Sequence, residues 1–330
     1  MPKLDRLGSC AARPGGIAHG SLDIEGAALP VVIAAGRREG PTLLVTCAQH
    51  ATEFSGLAAV DAVLAALDPG RLAGTLVVLP VVNPLHNHLE MDPAELPHRN
   101  MAENINRKWP GGDSDALARI AQVVWDRAVA RCDALLDFHC CRRVDPRFSA
   151  ALAGHAPSEA LAVAVRLEAV DLQTPGTYAE GLLFMEAAAR LGIPSVLIES
   201  HPGGFQVREA VEACAGALWR GMAHLGMIDP PAPAPARRAP EGRTAIFSRL
   251  VEGHDFRPKA GGYLGVRRWY GEQVASGELV AVVRSLATFE VIEELRSPVD
   301  GSVGCIGDPR SAGLIKAGEV AGDVKAVEWR

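Results

Sequence analysis

Short apolar runs and helical apolar patterns alternate along the first two thirds of the chain. The apolar runs are bounded by turn-forming or charged residues, which is typical of buried strands, and they cover residues 28–36, 42–47, 75–82, 133–138 and 193–199. Between and after them, apolar side chains recur at helical spacing in residues 54–67, 114–132, 157–170, 182–191 and 207–226. Strands that alternate with helices predict an α/β domain with a mostly parallel sheet.

The pattern changes after residue 228. Residues 229–240 (DPPAPAPARRAP) alternate Pro and Ala, which favours a semi-rigid extended linker. Residues 241–330 lose the helical pattern and show Val-rich runs broken by Gly, which predicts a small all-β domain. We therefore expect an α/β domain over residues 1–228, a linker over residues 229–240, and a β domain over residues 241–330.

Two phrases of the last part, GEQVASGELVAVV and SPVDGSVGCI, resemble the barrel-sandwich hybrid fold of biotinyl and lipoyl carrier domains. A carrier needs a lysine at a hairpin tip. No lysine occurs between Ala260 and Ile315, and Glu290 stands near that tip instead. The resemblance thus implies the fold without the carrier function, and the domain either is structural or helps to close a site on the preceding domain.

Composition excludes several partners. The formal net charge is -6 and no long basic run occurs, which argues against nucleic acid or an anionic membrane surface. No apolar stretch approaches the roughly 20 residues that a membrane-spanning helix needs, and the start of the chain has no signal-peptide core, so we predict a cytoplasmic protein. Seven scattered cysteines without a C-x-x-C motif do not predict disulfides. The oligomeric state is left open, with a homo-oligomer among the alternatives.

Candidate metal ligands follow two of the predicted strands. His50 and Glu53 come just after the strand at 42–47, and His139 comes directly after the strand at 133–138. Two imidazoles and one carboxylate suit a zinc ion that keeps a fourth position for water. The H-x-x-E spacing alone is weak evidence, since it arises often by chance. However, parallel strands present their carboxyl ends at one edge of a sheet, so these groups and Glu199 are expected to share a cleft.

Further motifs complete a pattern. The chain carries Arg99 and then Asn106-Arg107 in an Asn-rich loop, Asp137-Phe138-His139 at a strand end, and Glu199 at the end of another strand. In this order, the motifs resemble the succinylglutamate desuccinylase/aspartoacylase family, a branch of the zinc carboxypeptidase clan, over roughly residues 28–228. The resemblance implies a zinc carboxypeptidase-like, mixed and mostly parallel sheet flanked by helices, plus a small C-terminal all-β domain.

The resemblance also implies a role for each position. One zinc ion per chain would be bound by His50, Glu53 and His139. Glu199 would be the general base and then the general acid, and Arg99 would stabilise the oxyanion of the scissile carbonyl. Asn106 and Arg107 would hold a substrate carboxylate, which an arginine can bind through two parallel hydrogen bonds.

Some positions stay open. Asp137 either orients the imidazole of His139 or caps a turn. Family members usually have glycine where this chain has Ala51. The sequence does not decide whether five further residues contact the substrate, namely His201, Arg142, Arg143, Tyr263 and Tyr270.

Three functions are compatible with these residues. The first is a deacylase that cleaves a small N-acyl amino acid carrying a carboxylate, the second is a carboxypeptidase acting on short peptides, and the third is an inactive binding protein on the same fold. The β domain favours the first function, because in this branch it narrows access to the cleft. A missing ligand or base would favour the third, and none is missing here.

Overall fold

A computed structural model describes residues 4–24, 26–50, 53–84, 104–140, 147–167, 169–176, 180–229 without 201–207, 245–247, 254–269, 272–306, 313–325 and 327–329. The chain divides into two compact units. The first comprises Met1–Pro231 with Ala287–Phe289, and the second comprises Ala232–Leu286 with Glu290–Arg330. Except for Asp229, the predicted linker lies outside the described residues.

The first unit alternates strands and helices. In chain order its elements are β1 (Arg6–Leu7), β2 (Cys10–Ala11), β3 (Gly16–Ile24), β4 (Ala27–Ala35), β5 (Arg38–Thr46), α1 (Ser55–Ala66), β6 (Ala73–Leu79), α2 (Ala116–Arg127), β7 (Ala134–Cys140), β8 (Phe148–Leu152), α3 (Ala156–Ala164), β9 (Ala169–Gln173), α4 (Leu183–Leu191), β10 (Ser195–Ser200) and α5 (Arg208–His224). A short 3₁₀ helix at Ile105–Arg107 precedes α2.

One eight-stranded sheet has the order β3-β4-β6-β5-β7-β10-β8-β9. Its four central strands, β6, β5, β7 and β10, run parallel, and antiparallel pairs join β3, β4 and β8 to them. The central strands are apolar almost throughout, as expected for strands buried on both faces. The predicted α/β domain with a mostly parallel sheet is therefore confirmed, and β5, β7 and β10 end at the same edge.

Helices cover both faces of this sheet. On one face, α2 shares a core with Leu44 of β5 and Leu135 of β7. On the other face, Gly56 of α1 lies against Phe138 of β7, and Gly221 of α5 lies against Leu136. Because side chains alternate along a strand, residues 135, 137 and 139 share the α2 face. Among the described residues, no helix combines the length and the apolar character needed to cross a bilayer.

The structure differs from the pattern analysis at the predicted helix 157–170. The helix α3 ends at Ala164, Arg166 adopts a left-handed φ of 51°, and residues from Ala169 onward form β9. The end of the predicted helix is therefore wrong, because pairing with β8 outweighs local helical spacing there. The strand β3 was not predicted either, since its sequence GIAHGSLDI has no continuous apolar run and it is defined by pairing with β4.

The second unit is all-β, as predicted. Its strands are β11 (Ala245–Phe247), β12 (His254–Phe256), β13 (Gly262–Val266), β14 (Gln273–Val274), β15 (Leu279–Arg284), β16 (Val291–Arg296), β17 (Gly301–Ile306), β18 (Leu314–Ile315), β19 (Gly322–Lys325) and β20 (Val327–Trp329). Two antiparallel four-stranded sheets, β12-β19-β17-β14 and β16-β15-β13-β18, share one apolar core. Glu290 lies between β15 and β16, where its carbonyl oxygen accepts a hydrogen bond from Ser285 N.

Candidate metal centre

Three candidate ligands meet at the carboxyl edge of the sheet. His50 follows β5, Glu53 precedes α1, and His139 lies near the end of β7. The carboxylate of Glu53 bridges the two imidazoles, with Oε1 2.9 Å from His50 Nδ1 and Oε2 2.8 Å from His139 Nδ1. One ligand atom from each residue lies within 4.8 Å of the others. The structure thus brings together all three residues that the sequence analysis selected as metal ligands.

The far side of each imidazole has its own partner. His50 Nε2 lies 2.8 Å from Asn104 Oδ1. The same Oδ1 accepts a hydrogen bond from the backbone N–H of Asn106, so the oxygen end of the Asn104 amide, and not its NH2 end, faces His50. His139 Nε2 lies 3.0 Å from Asp137 Oδ2, and an ionised carboxylate can only accept. Both rings therefore carry a proton on Nε2 and direct Nδ1 toward Glu53. Two Nδ1 atoms and a carboxylate form a donor set that fits zinc, with the outer partners that metal-binding histidines usually have.

The charges of the centre stabilise one another. Burial disfavours a charged His139, but the carboxylates of Asp137 and Glu53 outweigh it and raise the imidazole pKa. Burial also opposes a charged His50, and Glu53 again raises the imidazole pKa. Burial alone would raise the pKa of Glu53, yet the two imidazoles lower it. A metal ion that binds here must displace imidazole protons, so its binding is linked to pH.

Glu199 lies beside the centre but, unlike Glu53, does not bridge the two imidazoles. It pairs with His139 across the β7–β10 ladder. Its Oε2 atom is buried and has no hydrogen-bond partner among the described residues. Burial raises the pKa of Glu199 to about 7; the charge of Glu53 adds to the rise and that of His139 opposes it. A carboxylate with a pKa near neutrality is suited to accept and return a proton.

The two predicted substrate-binding residues lie on the 3₁₀ helix. Asn106 is buried, its Nδ2 lies 3.4 Å from His139 Nε2, and its Oδ1 accepts a hydrogen bond from Leu183 N at the start of α4. Arg107 Nη1 donates to the carbonyl oxygen of Asn106 at 2.5 Å. Asn106 therefore reaches the centre, with its amide oxygen engaged in holding α4.

Arg99 lies outside the described residues, as do His201, Arg142, Arg143, Tyr270 and Ala51. The oxyanion role of Arg99 thus stays a prediction. Tyr263 lies on β13 of the second unit and is fully buried.

The sequence analysis missed three side chains around the centre. Gln49 and Asn104 are buried amides, and Trp109 is a buried indole. They contact Asp137, His50 and Gln49 respectively. Only proximity in sequence to His50 and Asn106 could have pointed to Gln49 and Asn104, because no periodicity or motif distinguishes an orienting amide from an ordinary loop residue.

Part of the chain is similar in sequence to a known deacetylase. A relative named N-alpha-acetyl-L-2,4-diaminobutyric acid deacetylase, from Halomonas elongata, is 28% identical over 137 residues, which are 38% of this chain and 38% of that protein. The chain thus matches little more than a third of the length of that relative.

Solved structures share the fold over nearly the whole chain. The product-bound ectoine utilization protein EutE from Ruegeria pomeroyi has a TM-score of 0.55 at 20% identity, covering 97% of this chain and 99% of that one. A succinylglutamate desuccinylase from a Silicibacter species has a TM-score of 0.55 at 22% identity, covering 98% of this chain and 100% of that one.

The family itself is identified from the sequence. The model of the succinylglutamate desuccinylase/aspartoacylase catalytic domain matches residues 39–218, which is more than half of the chain. The matched range contains His50, Glu53, His139 and Glu199. The chain therefore belongs to the succinylglutamate desuccinylase/aspartoacylase family.

Proposed function

We propose that this protein is a zinc-dependent deacylase that hydrolyses the amide bond of a small N-acyl amino acid bearing a free carboxylate. The observation that carries the proposal is the convergence of His50, Glu53 and His139 at one sheet edge, with the carboxylate of Glu199 on the neighbouring strand. Family membership supports a deacylating hydrolase. The name of the Halomonas relative supports an N-acetyl amino acid as the first substrate to test.

The metal would be held by three groups, His50 Nδ1, His139 Nδ1 and the carboxylate of Glu53. When bound, zinc supplies Lewis-acid activation of a water molecule at neutral pH. The chain's contribution is to aim both Nδ1 atoms inward. The acceptors Asn104 and Asp137 each hold a proton on Nε2, so the proton that a metal ion displaces leaves from Nδ1.

Glu199 is the proposed proton carrier. It takes a proton from the attacking water and delivers it to the nitrogen of the departing amine as the C–N bond breaks. One water is consumed, and a carboxylic acid and an amine are released. Proton transfer by a placed side chain contributes about 10²–10⁴ in rate, most effectively when its pKa is near the working pH.

The remaining roles follow from charge. Arg99 is proposed to stabilise the oxyanion that forms on the scissile carbonyl, an effect worth about 3–4 kcal/mol for one good donor. Arg107 is proposed to bind the substrate carboxylate, with Asn106 beside it. The position of the Asn106 amide next to His139 supports a substrate site adjoining the metal centre.

A substrate panel tests the proposal. Zinc-loaded full-length protein is assayed with N-acetyl and N-succinyl amino acids, including N-alpha-acetyl-L-2,4-diaminobutyrate, and with blocked dipeptides. We expect hydrolysis of N-acyl amino acids, and its loss in His139→Ala together with the bound metal. His224→Ala, at an exposed histidine ending α5, is the matched control and should retain both metal and activity.

The alternatives predict different results. Cleavage of the dipeptides alone would replace the deacylase with a carboxypeptidase. Zinc bound stoichiometrically without any hydrolysis across the panel would favour an inactive binding protein.

A further inference from the structure

Gln49 lies at the middle of a buried hydrogen-bond network beside the metal centre. The side chain is fully buried, and its Nε2 donates to both carboxylate oxygens of Asp137, each at 2.8 Å. Its Oε1 accepts from Trp109 Nε1 at 2.9 Å. An indole only donates and a carboxylate only accepts, so both ends of the Gln49 amide have a defined orientation.

Asp137 is held by several donors at once. Thr46 Oγ1 donates to its Oδ1 at 2.7 Å, and His139 Nε2 faces its Oδ2 at 3.0 Å. Together with Gln49, these donors satisfy both carboxylate oxygens and leave the carboxylate no freedom to rotate. Since Asp137 orients the ring of His139, the position of Gln49 is transmitted to a metal ligand.

Both imidazoles are tied to the same short segment, residues 104–109. His50 is bonded to Asn104, and His139 is linked through Asp137 and Gln49 to Trp109. This segment also carries the proposed substrate-binding residues Asn106 and Arg107. Ordering of the two imidazoles and ordering of the segment therefore depend on the same hydrogen bonds.

We propose that Gln49 is a positioning residue that fixes His139 through Asp137 and, through Trp109, couples zinc binding to the order of segment 104–109. The proposal rests on the proposed function in one respect, namely that the centre binds zinc. Gln49 is not one of the three candidate ligands, and its Nε2 lies 3.3 Å from His139 Nε2, beside the carboxylate that both nitrogens face. Removing a residue that orients a metal ligand typically weakens metal affinity by about 10–100-fold.

Three variants of the full chain test the proposal. Gln49→Met keeps a similar volume and removes the amide, and Trp109→Phe keeps an aromatic ring and removes only the indole N–H. Ser149→Ala is the matched control, because Ser149 is also fully buried in the same sheet and loses one hydrogen bond, from its Oγ to Ala162 O, outside the network. Zinc dissociation constants are measured by competition with a chelator, and hydrogen exchange of segment 104–109 is measured with and without zinc.

We expect the zinc dissociation constant to rise by about 10–100-fold in Gln49→Met. It should rise by a smaller factor in Trp109→Phe and stay unchanged in Ser149→Ala. Zinc should slow hydrogen exchange of the segment in the unaltered protein and should do so less in both network variants. If Gln49→Met does not fold, Trp109→Phe alone decides, because it loses the same coupling through a smaller change.

Other results would overturn the proposal. These are a dissociation constant unchanged in a folded Gln49→Met, an equal loss in Ser149→Ala, or no zinc-dependent protection of the segment in the unaltered protein. Unaltered protein that binds zinc but cleaves no substrate would contradict the proposed function and leave the effect on zinc affinity to decide the role of Gln49. Protein that binds no zinc would contradict both.

Discussion

Two glutamates beside the same imidazoles have opposite electrostatic environments. Burial raises the pKa of each, but Glu53 bridges His50 and His139, so that the net shift of its pKa is downward. Glu199 lacks such contacts among the described residues, and its pKa rises to about 7. Titratable groups whose environments separate their pKa values usually take different chemical roles in one site.

Replacing Glu199 tests this division. In Glu199→Gln, we expect kcat to fall by about 10²–10⁴ while zinc remains bound, because an amide cannot carry the proton. Zinc content and kcat are measured on the same preparation, with Glu212→Gln on an exposed part of α5 as control. Full activity of Glu199→Gln would remove Glu199 from the mechanism.

The pH dependence of kcat should report the same group. Below its pKa of about 7, Glu199 is protonated and cannot accept a proton, so activity should rise as the pH increases. A bound divalent cation adds positive charge, which favours the carboxylate and places the rising limb at or below pH 7. Initial rates between about pH 5 and 8, with zinc content verified at each pH, provide the measurement, and a flat profile would contradict the prediction.

At the scale of elements, the centre depends on how α1 packs against β7. Gly56 of α1 allows the helix to approach the strand, since a Cβ at this position would lie 2.3 Å from Phe138 Cβ. Phe138 directly precedes the candidate ligand His139, and Glu53 lies just before α1. The contact between the helix and the strand therefore sets the separation of the two candidate ligands, Glu53 and His139.

Gly56→Ala should destabilise the protein by about 1–3 kcal/mol, because the added methyl group forces the packed elements apart. Gly216→Ala on α5 is the control, since its Cβ would meet the end of the Arg220 side chain, at 2.8 Å from Nη1, and not a packed strand. That substitution should be neutral or stabilise the helix by up to about 1 kcal/mol. Denaturant unfolding measures both, and equal effects would contradict this account of Gly56.

At the scale of the whole molecule, the sheet brings together candidate ligands from distant parts of the chain. The parallel order of β5, β7 and β10 brings their carboxyl ends to one edge, as the registers Thr46↔Asp137 and Glu199↔His139 show. The centre therefore exists only when the first unit is folded, and an ion that binds there must stabilise the folded state.

Zinc should raise the midpoint of thermal unfolding, and a chelator should lower it. A single site stabilises the folded state by about 2.7 kcal/mol when the free metal concentration is 100 times the dissociation constant. Cysteines exposed on unfolding also bind zinc and reduce the effect, so Glu53→Gln, which lacks one ligand, provides the reference. An equal shift in Glu53→Gln would place the stabilising zinc elsewhere.

The sequence by itself determined the classes of structure and the candidate ligands. Buried parallel strands must be apolar along their length, and amphipathic helices must repeat their apolar positions, so these elements could be read locally. The change to a Gly-broken β pattern likewise predicted the second unit. Residue type and position at strand ends selected His50, Glu53 and His139, since few side chains bind zinc.

The tertiary structure alone decided which partners surround those ligands. Asp137 could have capped a turn, but the fold sets it on the same face of β7 as His139, where it orients the imidazole. The contacts of Gln49 with Trp109 and of His50 with Asn104 join residues far apart in sequence. Hydrophobic periodicity records only whether a position is buried, whereas the partner of a buried polar group depends on which distant residue the completed fold brings within hydrogen-bonding distance.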